Sequence, residues 1–150
     1  MENEVVIVLA EDDEGHARLI EKNLKRSGIA NKIHAFSDGE QTLDFFFQRG
    51  QGPHRETGRS YILLLDIRMP KIDGIEVLEA LGQDKELSKM PIVMITTTDD
   101  PIEVDKCHKL GCSNYIAKPI DYEKFVQTIR NLGLFLKVVQ YPKLNGKYSL

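Results

Sequence analysis

The sequence predicts an α/β fold in which a five-stranded parallel sheet is doubly wound, with helices on both faces. Apolar runs of strand length alternate five times with segments of helical period, and this alternation is typical of successive βαβ units. Two of the runs, Val5 to Ala10 and Tyr61 to Leu65, are apolar throughout, as strands covered on both faces are. Each crossover between such strands is expected to be right-handed.

The first half of the chain supplies two strands, each followed by a helix. After the first strand, Ala17, Ile20 and Leu24 stand at i, i+3 and i+7, and Gly28 follows as a stop, which predicts an amphipathic helix. A short second strand is predicted at Ile33 to Ala35, where apolar and polar side chains alternate. The helix after it has a cap and three apolar positions: Ser37 or Asp38, then Leu43, Phe46 and Phe47.

A long loop and three strand–helix units complete the fold. Gly50 to Ser60 contains three glycines, a proline and no apolar side chain, which predicts a loop. The later strands are expected at Tyr61 to Leu65, Pro91 to Ile95 and Asn114 to Ala117. Asp100-Pro101-Ile102-Glu103 combines a cap, a proline at the first helical position and a glutamate three residues after the cap, which indicates a helix start. The other two helices bury the following residues: Val77, Leu78 and Leu81, and Phe125, Ile129 and Leu132.

Composition favours a single globular domain that works in the cytoplasm. The 150 residues are 41% apolar and 29% charged, which allows one sizeable core. A net charge of −3 without a Lys/Arg block does not indicate a nucleic-acid surface. The apolar runs are far shorter than a membrane span, and the acidic start Met1 to Glu4 is unlike a signal peptide. Cys107 and Cys112 lack metal-site spacing and are expected to be reduced thiols.

Four of the predicted strands end in polar side chains that a parallel sheet would bring together. Glu11-Asp12 follow the first strand and Asp66 the third, while Thr96 and Lys118 end the fourth and fifth. The carboxyl ends of parallel strands meet at one edge, where ligands bind in open α/β sheets. A strand-end aspartate by itself more often caps the next element, and a strand-end threonine often makes a local turn bond. The convergence of the whole set indicates a site.

The charges of this set favour a divalent cation and phosphoryl transfer. Three clustered carboxylates repel one another by about 4 kcal/mol per close pair at an effective dielectric near 20. Lys118 and a divalent ion would neutralise them, and Mg²⁺ prefers carboxylates, carbonyls, waters and phosphoryl oxygens. Pro70 and Asp73-Gly74 predict a turn that directs carbonyls near Arg68 into the same crevice. Asp66 could then accept a phosphoryl group whose charge both cations offset, and Thr96 could donate to the phosphate.

The chain resembles a response-regulator receiver domain from Val5 to Leu132. The matching segments are the apolar strand into Glu11-Asp12, Leu65-Asp66-x-x-Met69-Pro70-x-x-Asp73-Gly74, Ile95-Thr96-Thr97, and Gly111-x-x-x-Tyr115-x-x-Lys118-Pro119. The resemblance implies a flavodoxin-like sheet with strand order 2-1-3-4-5. It also implies a protein that is phosphorylated and loses the phosphoryl group by its own chemistry, without being an enzyme that acts on other molecules.

The resemblance implies roles for the acidic residues. Asp66 would be the phosphoacceptor, and Glu11, Asp12 and Asp66 with the backbone carbonyl of Arg68 would hold Mg²⁺. The run of three acidic residues leaves the register open by one position. We take Glu11-Asp12, because the acidic pair of the family directly follows the strand, with Asp13 as the alternative.

Three further roles are implied by the same resemblance. Lys118 would contact the phosphate. Thr96 and Tyr115 would form a switch pair, and Lys118-Pro119 would be a cis peptide, a state that proline makes accessible.

Within the family, the chain looks most like small stand-alone regulators that pair with phytochrome-type histidine kinases. The similar features are the Gly50 to Ser60 loop, Thr96-Thr97-Thr98 and the tail from Leu132 to Pro142. The expected partners are therefore a histidine kinase of that type and a downstream protein. About eighteen residues follow Leu132, so we expect the output to pass through protein contacts.

Residues 1–132 are predicted to form the receiver and 133–150 a C-terminal extension that makes a homodimer. One helical stripe continues past the usual end of a receiver, with more apolar groups on other faces: Phe125, Ile129, Leu132, Leu136 and Val139, then Leu134, Phe135 and Val138. A monomer could not bury both sets, and apolar patches of this kind mark interfaces. The alternative is an extension folded over its own sheet edge or last helix.

Two other functions compete with the receiver. Phosphatases of the haloacid-dehalogenase type also use a strand-end aspartate, a threonine, a lysine and Mg²⁺, but they need a second aspartate two residues after the first. Arg68 occupies that position and cannot act as a general acid and base. A pseudo-receiver would be expected to have lost part of the set, all of which is present.

Overall fold

Strands and helices alternate in a computed structural model that describes residues 4–119, 121–138 and 141–146. The elements, in chain order, are β1 Val6–Ala10, α1 Glu14–Arg26, β2 Ile33–Phe36, α2 Gly39–Phe47, β3 Arg59–Leu65, α3 Gly74–Gln83, a 3₁₀ turn Leu87–Lys89, β4 Ile92–Thr96, α4 Pro101–Lys109, β5 Asn114–Ala117, α5 Tyr122–Leu136 and β6 Lys143–Leu144. No helix of the described ranges is long and apolar enough to cross a membrane.

The parallel part of the sheet has the order β2-β1-β3-β4-β5, which confirms the predicted fold class. The register pairs Ala10 of β1 with Leu65 of β3, so the residues that follow these strands leave the sheet side by side. Strands β1 and β4 are buried along their whole length, and β3 is buried from Ser60 onward.

Two apolar layers cover the sheet. One includes side chains of α2, α3 and α4, such as Phe46, Leu81 and Cys107. The other includes side chains of α1 and α5, such as Ile20 and Ile129. Both faces of the central strands are therefore sealed, and their open carboxyl ends remain for chemistry.

The segment after β3 is held in a tight turn by a glycine and a helix cap. The Gly74 amide donates to the Ile67 carbonyl at 2.7 Å. A Cβ at Gly74 would lie 2.1 Å from the Asp66 carbonyl oxygen, so only glycine allows this approach. Asp73 and Glu76 form a capping box that starts α3. The turn fixes the backbone on both sides of the Asp66 carboxylate.

The predicted boundary between Leu132 and Gly133 falls inside α5, which continues to Leu136. Gly133 packs against α1, where an added Cβ would lie 1.9 Å from the Ser27 hydroxyl oxygen. The end of the receiver helix and the start of the extension are thus one rigid element.

The described end of the extension folds back on its own chain and adds a sixth strand that the sequence did not predict. In β6, Leu144 pairs antiparallel with Arg59 and is fully buried. This pairing starts β3 at Arg59, two residues earlier than expected. Arg55 in the preceding loop is also buried, and its guanidinium donates to the carbonyls of Phe46 at 2.9 Å and Asn145 at 3.0 Å. Val139, which we placed on the predicted stripe, lies outside the described residues.

Candidate functional site

The four predicted strand ends meet at one edge of the sheet. Glu11 follows β1, Asp66 follows β3, Thr96 ends β4 and Lys118 follows β5, and all four residues are buried. Carboxylate oxygens of Glu11, Asp12 and Asp66 lie within 4.8 Å of one another. Asp12 is exposed, so this acidic cluster opens to solvent on one side.

Asp13 has a different structural role from its two acidic neighbours, Glu11 and Asp12. Its Oδ1 accepts from the backbone amide of His16 at 3.0 Å, which makes Asp13 the N-cap of α1. This bond, with a smaller contribution from the backbone amide of Gly15, holds the pKa of Asp13 below its usual range. The geometry thus brings Glu11 and Asp12 to Asp66 and leaves Asp13 as a helix cap.

Lys118 is the cation of the site. Its side chain is 2% exposed, and its ammonium makes a short contact with Glu11 Oε1 and lies 3.1 Å from Asp66 Oδ2. A third contact, 3.0 Å long, joins the ammonium to Nδ1 of His16. Three carboxylates and one ammonium leave a formal charge of −2, so a divalent cation would neutralise the cluster.

Sequence reasoning missed His16, although a signal was present. His16 stands four residues before Ile20 and eight before Leu24, on the buried stripe of α1. A polar residue on that stripe, one turn from the acidic pair, faces the carboxyl edge of the sheet. The structure places it against Lys118, a partner 102 residues away in sequence.

Burial perturbs Glu11 most strongly. The pKa of Glu11 is raised from 4.5 to about 7: loss of solvent is the largest cause, the bond from Lys118 opposes the shift, and the nearby Asp66 adds to it. A carboxyl group at neutral pH with a pKa near 7 is divided between its two protonation states. A cation at the cluster would favour the ionised form.

The two switch candidates lie on neighbouring strands. Thr96 is fully buried, and its hydroxyl is 3.5 Å from the backbone amide of Thr98. The Tyr115 hydroxyl donates to the Thr98 carbonyl at 2.6 Å. Burial raises the pKa of Tyr115 to about 12, so its phenol remains a donor at neutral pH. The segment from Thr96 to Thr98 therefore links the site to β5.

The structure also bears on two other predictions, the place of Arg68 and the isomer of the Lys118-Pro119 bond. The Arg68 amide approaches Asp66 Oδ1 at 3.4 Å, and Arg68 lines a cleft beside the acidic cluster with Asp12. The cis prediction for Lys118-Pro119 is wrong: within the described ranges the cis peptide bond is Gly52-Pro53. A trans bond is the lower-energy state before proline by about 0.5–1 kcal/mol.

A sequence model of the response regulator receiver domain matches residues 7–130, which include every element from β1 to most of α5. The chain belongs to the response regulator receiver family. A receiver domain from Rhodospirillum rubrum superposes with a TM-score of 0.89 at 44% identity, over 95% of this chain and 100% of that one.

Other receivers similar to this chain include regulators with named partners or ions. Response regulator Rcp1 of Synechocystis sp. is 30% identical over 138 residues, 91% of this chain and 92% of that protein. Its Mn²⁺-bound structure superposes with a TM-score of 0.83 at 28% identity, over 93% of this chain and 99% of that one. The bacteriophytochrome response regulator RtBRR superposes at 0.74 with 31% identity, over 95% of this chain and 83% of that one.

The donor set of this receiver fits a hard divalent cation. Carboxylate oxygens of Glu11, Asp12 and Asp66 are ligands of the kind that Mg²⁺ and Mn²⁺ take, and Lys118 cannot neutralise all three. Receiver domains are in general phosphoacceptors and not enzymes, and those of phytochrome response regulators work with histidine kinases. This family membership makes the haloacid-dehalogenase alternative unnecessary.

The raised pKa of Glu11 makes the stability of the metal-free receiver depend on pH. Between about pH 4.5 and 7 the folded chain keeps a proton on Glu11 that the unfolded chain has released, so stability falls as pH rises. Over that range the wild-type protein should lose roughly 3 kcal/mol relative to Glu11→Gln, which cannot ionise. Urea unfolding at several pH values, with a chelator present, measures this difference. Glu14→Gln, an exposed control, should follow the wild-type curve, and parallel curves for Glu11→Gln and wild type would contradict the assignment.

Proposed function

We propose that this chain is a response regulator that accepts a phosphoryl group on Asp66 from a histidine kinase. The observation that carries the proposal is a buried Asp66 carboxylate held 3.1 Å from a buried lysine, with Glu11 and Asp12 alongside. A carboxylate oxygen of Asp66 would attack the phosphorus of a phosphohistidine, so that a P–O bond forms as the P–N bond breaks and the histidine leaves. Lys118 would contact the oxygens of the transferred group.

Glu11, Asp12 and Asp66, with the Arg68 carbonyl, would hold Mg²⁺. The ion supplies positive charge for the phosphoryl oxygens in the transition state. The protein itself holds the carboxylates within 4.8 Å of one another and shields the Lys118 side chain, which is 2% exposed, from solvent. This cluster is formed in the folded chain before any phosphodonor arrives, so little reorganisation is needed.

The proposed kinase is of the phytochrome type, and the proposed place of action is the cytoplasm. Support comes from the similarity to the bacteriophytochrome response regulator RtBRR at 31% identity. The phosphorylated chain would pass its signal to a downstream protein by surface contacts of the receiver, which the family model matches over residues 7–130.

Phosphorylation should be confined to Asp66 and should require Mg²⁺. Asp66→Asn should give no phosphorylated species with acetyl phosphate, because an amide is not a nucleophile here, and chelation should stop labelling of the wild type. Intact-mass measurement counts the phosphoryl groups directly. Asp99→Asn, an exposed change after the neighbouring strand, is the matched control and should be labelled like wild type. Labelling of Asp66→Asn, or labelling without divalent ions, would refute the proposal.

We further propose that Thr96 and Tyr115 carry the signal from Asp66 to the surface of α4, β5 and α5. A phosphoryl group on Asp66 would draw the Thr96 hydroxyl toward it and shift the Thr98 carbonyl that now accepts from Tyr115. Release of that bond would let the Tyr115 ring change its place. The population of this surface would then differ between the two states.

Thr96→Ala should uncouple the α4 surface from phosphorylation, whereas Thr96→Ser should keep the coupling, since it retains the hydroxyl. Backbone amide chemical shifts of helix α4, at residues 102–109, recorded with and without phosphodonor, report the change. We expect the phosphorylation-dependent shifts to fall at least about threefold in Thr96→Ala, the effect of one lost hydrogen bond on a two-state equilibrium. Undiminished shifts in the fully labelled Thr96→Ala protein would rule out this coupling.

A homodimer formed through the C-terminal extension is the last part of the proposal. Leu134, Phe135 and Val138 remain 57%, 45% and 74% exposed although α5 and β6 are docked on their own chain. Phe135 borders a groove with Tyr115 and Leu132 at the β5 edge of the sheet. Clustered apolar exposure next to a strand edge is typical of an interface.

Light scattering at micromolar concentration tests the dimer. The wild-type chain should have twice the mass of one chain, and Leu134→Ser with Phe135→Ser should yield a folded monomer because both side chains are removed from the interface and none from the core. Ile102→Ser, which removes a still more exposed apolar side chain from α4, is the control and should stay dimeric. An unchanged mass for the double variant, or a monomeric Ile102→Ser, would place the interface elsewhere.

A further inference from the structure

His16 contacts the active-site lysine but is not one of the ligands assigned to the proposed cation. Its Nδ1 lies 3.0 Å from Lys118 Nζ. Its backbone amide is fixed by the Asp13 cap in the first turn of α1, and its ring packs edge-on against Phe125 of α5 with centroids 5.6 Å apart. The imidazole is therefore oriented from two helices.

The chemistry of the contact determines which partner donates. An ammonium has three N–H donors and no acceptor, so Nδ1 of His16 must be the acceptor and the ring proton must lie on Nε2. The three donors of Lys118 then have one acceptor each, on Glu11, Asp66 and His16. Because this ammonium is 2% exposed, leaving one of its donors without a partner would destabilise the folded protein.

Phosphorylation would affect the three acceptors differently. Glu11 and Asp66 belong to the proposed Mg²⁺ ligands, and an oxygen of Asp66 becomes the ester oxygen of the acyl phosphate. Both carboxylates would then share their negative charge between Lys118 and the cation or the phosphoryl group, which weakens their bonds to Lys118. His16 lies outside the ligand set, so its Nδ1 can keep accepting from Lys118 in both states.

We propose that His16 is a positioning residue. It holds the ammonium of Lys118 in place while the two carboxylates that also contact Lys118, those of Glu11 and Asp66, change their own contacts. This inference rests on the proposed phosphorylation of Asp66 and adds a residue to it. Without the Nδ1 acceptor, the ammonium would have to follow the carboxylates or seek water, and it would meet the incoming phosphoryl oxygens less often in the productive position.

Two variants separate the acceptor from the ring. His16→Asn keeps an acceptor, since its Oδ1 takes the place of Nδ1, while His16→Phe keeps an aromatic ring against Phe125 and has no acceptor. With acetyl phosphate and Mg²⁺, His16→Phe should be phosphorylated about tenfold more slowly than wild type, the effect of one hydrogen bond to a charged group. His16→Asn should stay within about threefold of wild type. His16→Leu serves as a second acceptor-free variant if His16→Phe fails to fold.

The tautomer of His16 provides a readout that does not depend on activity. Two-bond ¹H–¹⁵N spectra at about pH 8 show which nitrogen of a neutral imidazole carries the proton. The chain has four histidines, and the signal that disappears in His16→Phe belongs to His16. We expect the proton on Nε2.

Each outcome bears on a different claim. Rates for His16→Phe equal to wild type, rates for His16→Asn as slow as those for His16→Phe, or a proton on Nδ1 would each overturn the role of His16. A wild-type chain that stays as unlabelled as Asp66→Asn would instead overturn the proposed phosphorylation, and the tautomer would still decide whether His16 accepts from Lys118.

Discussion

The structure of the site depends on one buried cation placed between two buried carboxylates. Lys118 comes from the end of the fifth strand, whereas Glu11 and Asp66 come from the first and third, so this contact can form only when the sheet order is correct. Removing three charges from water costs several kcal/mol per ion, and the cost is offset only when every donor has an acceptor. His16 completes that set from α1. The remaining negative charge favours a divalent cation at this edge of the sheet.

The surrounding fold serves this charge cluster by limiting where the backbone can go. Gly74 allows the chain after Asp66 to turn back at a distance that a Cβ would prevent, and Asp13 starts α1 directly after the acidic pair. The same helix then packs on α5 through Ser27 and Gly133. Helix α5 thus supports the site through its ring contact with His16 and also bears the exposed apolar side chains of the proposed dimer surface.

Much of this arrangement could be predicted because parallel sheets have strong local signals. All-apolar strands and caps such as Asp100 placed the elements, and strand ends placed Glu11, Asp66, Thr96 and Lys118 without knowledge of the tertiary contacts. Strand β6 escaped prediction because it contains two residues, Lys143 and Leu144, whose pairing with β3 is not encoded in any local period. The burial of Arg55 was equally hidden, since a loop without apolar side chains gives no sign that a guanidinium will join α2 to the segment after β6. His16 was missed because its partner is distant in sequence.

The central claim, that Glu11, Asp12 and Asp66 form a cation site while Asp13 caps a helix, can be tested by titration calorimetry with Mg²⁺. The account predicts one ion per chain for the wild type, binding at least about tenfold weaker for Asp12→Asn, which loses a charged ligand, and nearly wild-type binding for Asp13→Asn, which still caps α1. Loss of binding in Asp13→Asn with retention in Asp12→Asn, or the absence of Mg²⁺ binding by the wild-type protein, would contradict it.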